Sequence, residues 1–169
     1  MAERTSLRDY QRKLAERLRG GEGHRATSKL GVRVGTENWM VDLADAGEII
    51  PVPPVTPVPL TRPWFKGMTN IRGNLYCVVD FSAFLGGAPA PITDQSRLLL
   101  IGGRFRTGSA LLIDRSLGLR NPAQLRERPN GSAAKPWVKA EFTDSEGGGW
   151  KELDIEKLVQ HPDFLGVGS

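Results

Sequence analysis

The sequence predicts an all-β protein built from two similar units, with only short helices after residue 30. Three observations point there. Short β-favouring runs alternate with glycine, proline and asparagine turns from Leu30 onward. Half of the twelve prolines fall in the thirteen residues from Pro51 to Pro63, which marks an edge or an extended loop. A strand-then-Asp pattern recurs: Met40-Val41-Asp42 and Tyr76-Cys77-Val78-Val79-Asp80 in one half, Leu112-Ile113-Asp114 and Trp150-Lys151-Glu152-Leu153-Asp154 in the other. The Asp-to-Asp spacings, 38 and 40, suit two units of about 70 residues each.

The first segment stands apart from this pattern. Ser6 followed by Asp9 is a cap-like start, and Leu7, Tyr10, Leu14 and Leu18 recur at helical steps. A helix is predicted from about Ser6 to Arg19, stopped by Gly20-Gly21, then a flexible stretch to Lys29. Packing on its own body and docking on a partner are both open for this helix.

Leu30–Val34 and Trp39–Leu43 flank Gly35-Thr36-Glu37-Asn38 as a first hairpin, and Glu48–Val52 is a further strand. Leu75–Val79 is apolar throughout and reads as buried on both faces. Arg97–Gly103 and Ser109–Asp114 flank another turn. Trp137–Phe142 and Trp150–Leu153 flank Gly147-Gly148-Gly149 as a third hairpin. Short helical pieces are expected at Phe81–Leu85, Pro122–Arg126 and Ile155–Gln160. The last is capped by Asp154 and ends before Pro162.

Composition bounds the function. Apolar residues make up 39% and charged residues 25%, a folded rather than disordered balance. The longest apolar stretch, Leu98–Ile101, is far below the roughly 18–20 residues of a membrane span, so no membrane insertion is expected. Met1–Arg19 has no apolar core and is not read as a secretory signal, and its acids sit badly with a transit peptide. One cysteine, Cys77, forms no internal disulfide and no multi-thiolate metal site, which suits a reducing cytoplasm. The net charge of +4 lies wholly in residues 1–29, with eight Lys/Arg against four Asp/Glu; residues 30–169 hold fifteen of each. A body balanced in this way lacks the basic stripe of a nucleic-acid binder.

Catalytic, cofactor and metal sites are not expected. His24 and His161 have no nucleophile or ligand spacing beside them. Gly102–Gly108 lacks the ending of a phosphate loop and reads as a hairpin turn, and the acids show no calcium-loop spacing. Cys77 reads as a buried, inert thiol. The richest stretch is Trp64–Leu75. Gly67 and Gly73 permit tight reversals there, which would present Lys66, Asn70 and Arg72 as donors on a rigid loop. A structural turn whose Arg merely pairs with a nearby acid is the competing reading.

At this stretch the sequence resembles the CheW family of chemosensory adaptors. Glu48-Ile49, the proline-rich loop, Lys66-Gly67-x-x-Asn70-x-Arg72-Gly73 and Val78-Val79-Asp80 fall in the family's order and spacing, over about residues 30–86. Leu98–Ile101, Ala110–Asp114 and Ile155–Leu158 resemble it more loosely, and Leu119–Ser132 departs from it. Leu111–Asn121, with Trp137, Phe142 and Trp150, looks more like the CheW-like proteins of type IV pilus (twitching-motility) systems.

The resemblance implies two SH3-like five-stranded β-barrels packed on a shared core. The first would span roughly 30–86 and the second 95–163, with strands free to be exchanged. It implies a non-enzymatic cytoplasmic scaffold recruited to receptor arrays at the inner membrane. Its implied partners are the regulatory domain of a CheA-type histidine kinase and the cytoplasmic tip of a methyl-accepting chemoreceptor. Glu48, Ile49, Lys66, Gly67, Asn70, Arg72, Gly73, Val79 and Asp80 carry the motif and are the expected partner-binding residues, with Glu48 facing Arg72. A β-barrel nucleic-acid or peptide binder using the basic arm is the alternative from another class.

Overall fold

The computed structural model describes residues 28–129 and 135–168. The helix expected at Ser6–Arg19 lies outside the described residues. Eleven strands are described: β1 Lys29–Val34, β2 Glu37–Asp42, β3 Ala46–Pro51, β4 Phe65–Ile71, β5 Asn74–Asp80, β6 Arg97–Ile101, β7 Ser109–Ile113, β8 Arg115–Arg120, β9 Arg126–Arg128, β10 Val138–Thr143 and β11 Gly149–Leu153. Three short helices join them: α1 Phe81–Phe84, α2 Ile155–Gln160 and α3 Pro162–Leu165. None of these helices is long and apolar enough to cross a membrane.

The strands form two sheets. Sheet I has the order β8-β1-β2-β11-β10-β9 and sheet II the order β3-β6-β7-β5-β4. Each sheet therefore draws strands from both halves of the chain, so exchange crosses the 86/95 division. Replacing each strand of sheet II by its counterpart in the other half turns its order into that of sheet I without β9. In that correspondence β1 matches β6, β2 matches β7, β3 matches β8, β4 matches β10 and β5 matches β11. The strand-then-Asp echo is thus a real structural repeat. One half meets the other at four strand pairs, the parallel β2–β11 and β5–β7 and the antiparallel β1–β8 and β3–β6. Sheet I carries one strand more than the five expected. The addition is the three-residue β9, in the Leu119–Ser132 stretch that departs from the resemblance.

Alternation of side chains splits the interior into three parts. Leu99 and Ile101 of β6, Leu111 and Ile113 of β7, and Val79 of β5 face a shared core with Val32, Val34, Trp39 and Val41 of sheet I. Their neighbours Leu98, Leu100, Ala110, Leu112 and Val78 face the other way, into the interior of sheet II. Met40, Phe142 and Trp150 fill the interior of sheet I. A bulge between Val138 and Ala140 lets one strand serve both faces, Val138 toward the shared core and Phe142 toward the sheet I interior.

Several expectations need correction. Leu75–Val79 is not buried throughout: Leu75 is 62% exposed, because β5 starts at a hairpin tip. The strands buried on both faces are β6 and β7, in the middle of sheet II. Trp64–Leu75 is not a loop; most of it is β4. Pro122–Arg126 is a 3₁₀ turn, Pro122–Gln124, running into β9. Pro162 does end α2, but it also opens α3 at the first helical position, where its missing N–H costs nothing.

Candidate functional site

Strands β4 and β5 pair antiparallel up to Ile71 opposite Asn74, leaving Arg72-Gly73 as a two-residue turn. Both turn residues have positive φ, 51° at Arg72 and 86° at Gly73. That is the type I′ geometry, whose twist matches the strands it joins. The Gly73 N–H donates to Asn70 Oδ1 at 2.9 Å, locking the reversal. Asn70, Arg72 and Gly73 stand exposed at the tip. The Arg72 guanidinium donates to the Glu48 carboxylate of β3, with side chains 67% and 46% exposed. β3 and β4 are the two edge strands of sheet II, so this pair ties one edge to the other.

Gly67 is fixed by a different constraint. The proline-rich loop runs beside β4: Thr56 and Met68 exchange backbone hydrogen bonds at 2.8 and 2.9 Å, and Thr69 Oγ1 donates to the Pro54 carbonyl. A Cβ on Gly67 would lie 2.0 Å from the Thr56 carbonyl oxygen. The glycine, at φ 141° beside a β-bulge, lets the loop cover this edge strand.

The remaining motif residues lie inward. Ile49 is half-buried against the shared core. Val79 is buried in that core. Asp80 is fully buried; it accepts from Ala83 N–H at 3.2 Å and Ala90 N–H at 2.8 Å, with Lys66 Nζ 3.8 Å away. Val79 and Asp80 therefore cannot touch a partner as the expected set required. A strand-end carboxylate that caps α1 and ties down Ala90 has no surface left to offer. Glu48, Asn70, Arg72 and Gly73 form the exposed cluster, while Lys66 is half-buried at the other end of β4, beside Asp80.

Sequence reasoning missed the exposed Leu75 beside this cluster, because an apolar run does not announce where a hairpin tip lifts it into solvent. It also missed a cleft of about 740 Å³ between sheet II and the C-terminal helices, walled by Phe65, Phe105, Phe164 and Leu165. Residues so far apart in the chain give no local signal. Cys77 lines this cleft and is only half-buried, which corrects the fully buried reading. Burial still pushes its thiol pKa up, which favours the protonated thiol over the nucleophilic thiolate. His161 uses Nδ1 to accept from the Asp163 N–H, capping α3. Among the described residues no three His, Cys, Asp or Glu gather as metal ligands.

Comparisons with known proteins give the family and the fold. The family model of the CheW-like domain matches residues 29–163. The chain is 27% identical over 150 residues to Protein PilI of Pseudomonas aeruginosa, covering 86% of this chain and 83% of that protein. It is 32% identical over 85 residues to Chemotaxis protein CheW of Rhizobium meliloti, half of this chain and 54% of that one. The crystal structure of the scaffolding protein TtCheW from Thermoanaerobacter tengcongensis superimposes with a TM-score of 0.66 at 15% identity. It covers 82% of this chain and 95% of that one, a likeness of fold.

Proposed function

The chain belongs to the CheW-like domain family, and from that premise we propose that it is a non-enzymatic adaptor coupling methyl-accepting receptors to a CheA-type histidine kinase. The observation that carries the reading is the Arg72–Glu48 pair on its locked type I′ tip. So exposed a pair stabilises the fold by at most about 1 kcal/mol. Its stiffness serves presentation: Asn70 and Arg72 are held as donors facing outward, with the exposed Leu75 as an apolar neighbour. Donors fixed this way suit a carboxylate or the free carbonyls of a partner strand edge.

The adaptor works on the cytoplasmic side, in receptor arrays at the inner membrane, and its output is type IV pilus twitching. Likeness to PilI over most of the chain supports that output, as does the Leu111–Asn121 stretch with Trp137, Phe142 and Trp150.

The test is capture of the kinase regulatory domain and of a receptor-tip fragment by the wild-type chain and by Arg72→Ala. Thermal unfolding of the variant should stay within about 1 kcal/mol of wild type. Capture of at least one partner should fall about tenfold or more, as for a buried hot spot. Undiminished capture of both partners by a folded Arg72→Ala chain sinks this site. Loss of twitching with intact swimming in a deletion strain is the expected phenotype.

A further inference from the structure

A second polar cleft lies at the other end of β4, enclosing about 400 Å³. Trp64, Phe84 and Trp137 wall it, and Arg62, Lys135 and Asp163 line its mouth. The aromatic rings are held by one another: Trp64 meets Phe84 edge-on at 5.2 Å, and Phe84 meets Trp137 at 5.1 Å. Trp137 is only 3% exposed, and its indole Nε1–H, sealed from solvent, has no acceptor among the described residues. A buried donor left in this state costs about 1–3 kcal/mol. The two cations are also uncommitted. Arg62 donates from Nε to the Gly166 carbonyl at 3.3 Å and has no carboxylate partner among the described residues. Lys135 is exposed and likewise unpaired among them. Asp163, 71% exposed, is the one acid of the lining and sits 3.7 Å from His161 Nδ1, so the lining holds two cations against one anion.

Uncommitted donors, excess positive charge and flat aromatic walls define one ligand chemistry. We propose that this cleft receives the carboxylate of an acidic side chain from a partner polypeptide, with an adjacent apolar side chain against Trp64 and Phe84. Arg62 and Lys135 supply charge-assisted hydrogen bonds to the carboxylate, and the Trp137 ring walls the cleft beside it. β4 has seven residues, so at about 3.3 Å per residue the cleft and the Arg72 tip are on the order of 20 Å apart. The cleft is therefore a contact separate from the one used in the adaptor reading.

The four tryptophans give four indole Nε1–H signals in an ¹⁵N-labelled full-length chain, and Trp137→Phe identifies the relevant one. The protein is titrated at constant ionic strength with N-acetyl-glutamyl-leucine amide and, separately, with the glutaminyl analogue. The Trp137 signal should shift saturably with the glutamyl probe. The glutaminyl probe should bind about tenfold more weakly, because its hydrogen bonds lose their charge assistance. Arg62→Gln with Lys135→Gln, both at exposed positions, should abolish the saturable shift while the melting temperature stays unchanged. A Trp137 signal that does not move, or moves equally with both probes, overturns the proposal. Kinase and receptor capture through Arg72 is a separate measurement, so either idea can fail alone.

Discussion

At the scale of single residues, the motif glycines and acids are present for unlike reasons. Gly67 is demanded by a carbonyl 2.0 Å from where its Cβ would be, so Gly67→Ala must push the proline-rich loop off β4. The expected cost is about 3 kcal/mol, read as a lowered urea midpoint with an unchanged slope. Lys29, by contrast, opens β1 as a buried cation between Asp42 at 3.0 Å and Glu152 at 3.1 Å. Burial alone would raise the Asp42 pKa, but the Ala44 N–H and Lys29 outweigh it and hold the carboxyl below its ordinary 3.8. Its contribution to stability is therefore complete above that value and is lost as pH falls through the lower folded-state value. Wild-type stability should drop steeply on acidification below pH 3.8, and Asp42→Asn should flatten part of that drop. Urea midpoints measured across the acid range check it. A variant with the same acid slope would show that folding does not hold the Asp42 carboxyl below its ordinary value.

At the scale of elements, the repeated strand-Asp-helix junction shows how one sequence signal can carry two weights. Asp154 Oδ1 accepts from the Lys157 N–H and caps α2 in a partly exposed place. Asp80 makes the equivalent cap on α1 but is fully buried and also holds Ala90 and Lys66. Asp154→Ala should cost about 1 kcal/mol, as for any lost cap. Asp80→Ala should cost about 3 kcal/mol, because two N–H groups and a Lys are left without their partner. Thermal melts of the two variants separate these cases; equal costs would mean that burial of Asp80 adds nothing. The sequence announced both caps, because an Asp followed by a helical period is a local pattern. Whether each Asp would be sealed from solvent was not legible, since that depends on Ala90, ten residues on, folding back over it. The same limit explains β4 and β9. Glycines made Trp64–Leu75 read as a loop, whereas one of them fits a bulge and another a two-residue turn within a hairpin. β9 is Arg-Glu-Arg, exposed throughout, and owes its strand geometry to pairing with β10 rather than to any propensity of its own.

At the scale of the whole molecule, the repeat was visible in the sequence but its interlocking was not. An echo of short strands says that two units are alike; it does not say which unit's strands will pair. Here four pairs between the halves decide it, the antiparallel β1–β8 and β3–β6 and two parallel ones. β2 of the first half lies against β11 of the second, with Leu153 beside Val41, and β7 of the second lies against β5 of the first, with Leu112 beside Asp80. The shared core is filled from both sheets at once, Trp39 and Val41 meeting Leu99, Leu111 and Ile113. Cutting the chain between Leu85 and Arg97 would therefore not release two barrels. The first piece would keep β1 and β2 without their β8 and β11 neighbours, and β3 separated from β4 and β5 by the missing β6 and β7. Residues 1–90 and 91–169, expressed separately, should each lack a cooperative thermal transition, while the intact chain should unfold in a single one. If either piece melted cooperatively, the strand exchange would not be a condition of folding. Such interlocking matters for an adaptor because the Glu48–Arg72 pair closes the two edges of a sheet whose middle strands belong to the other half. A partner that grips this tip therefore bears on both halves together.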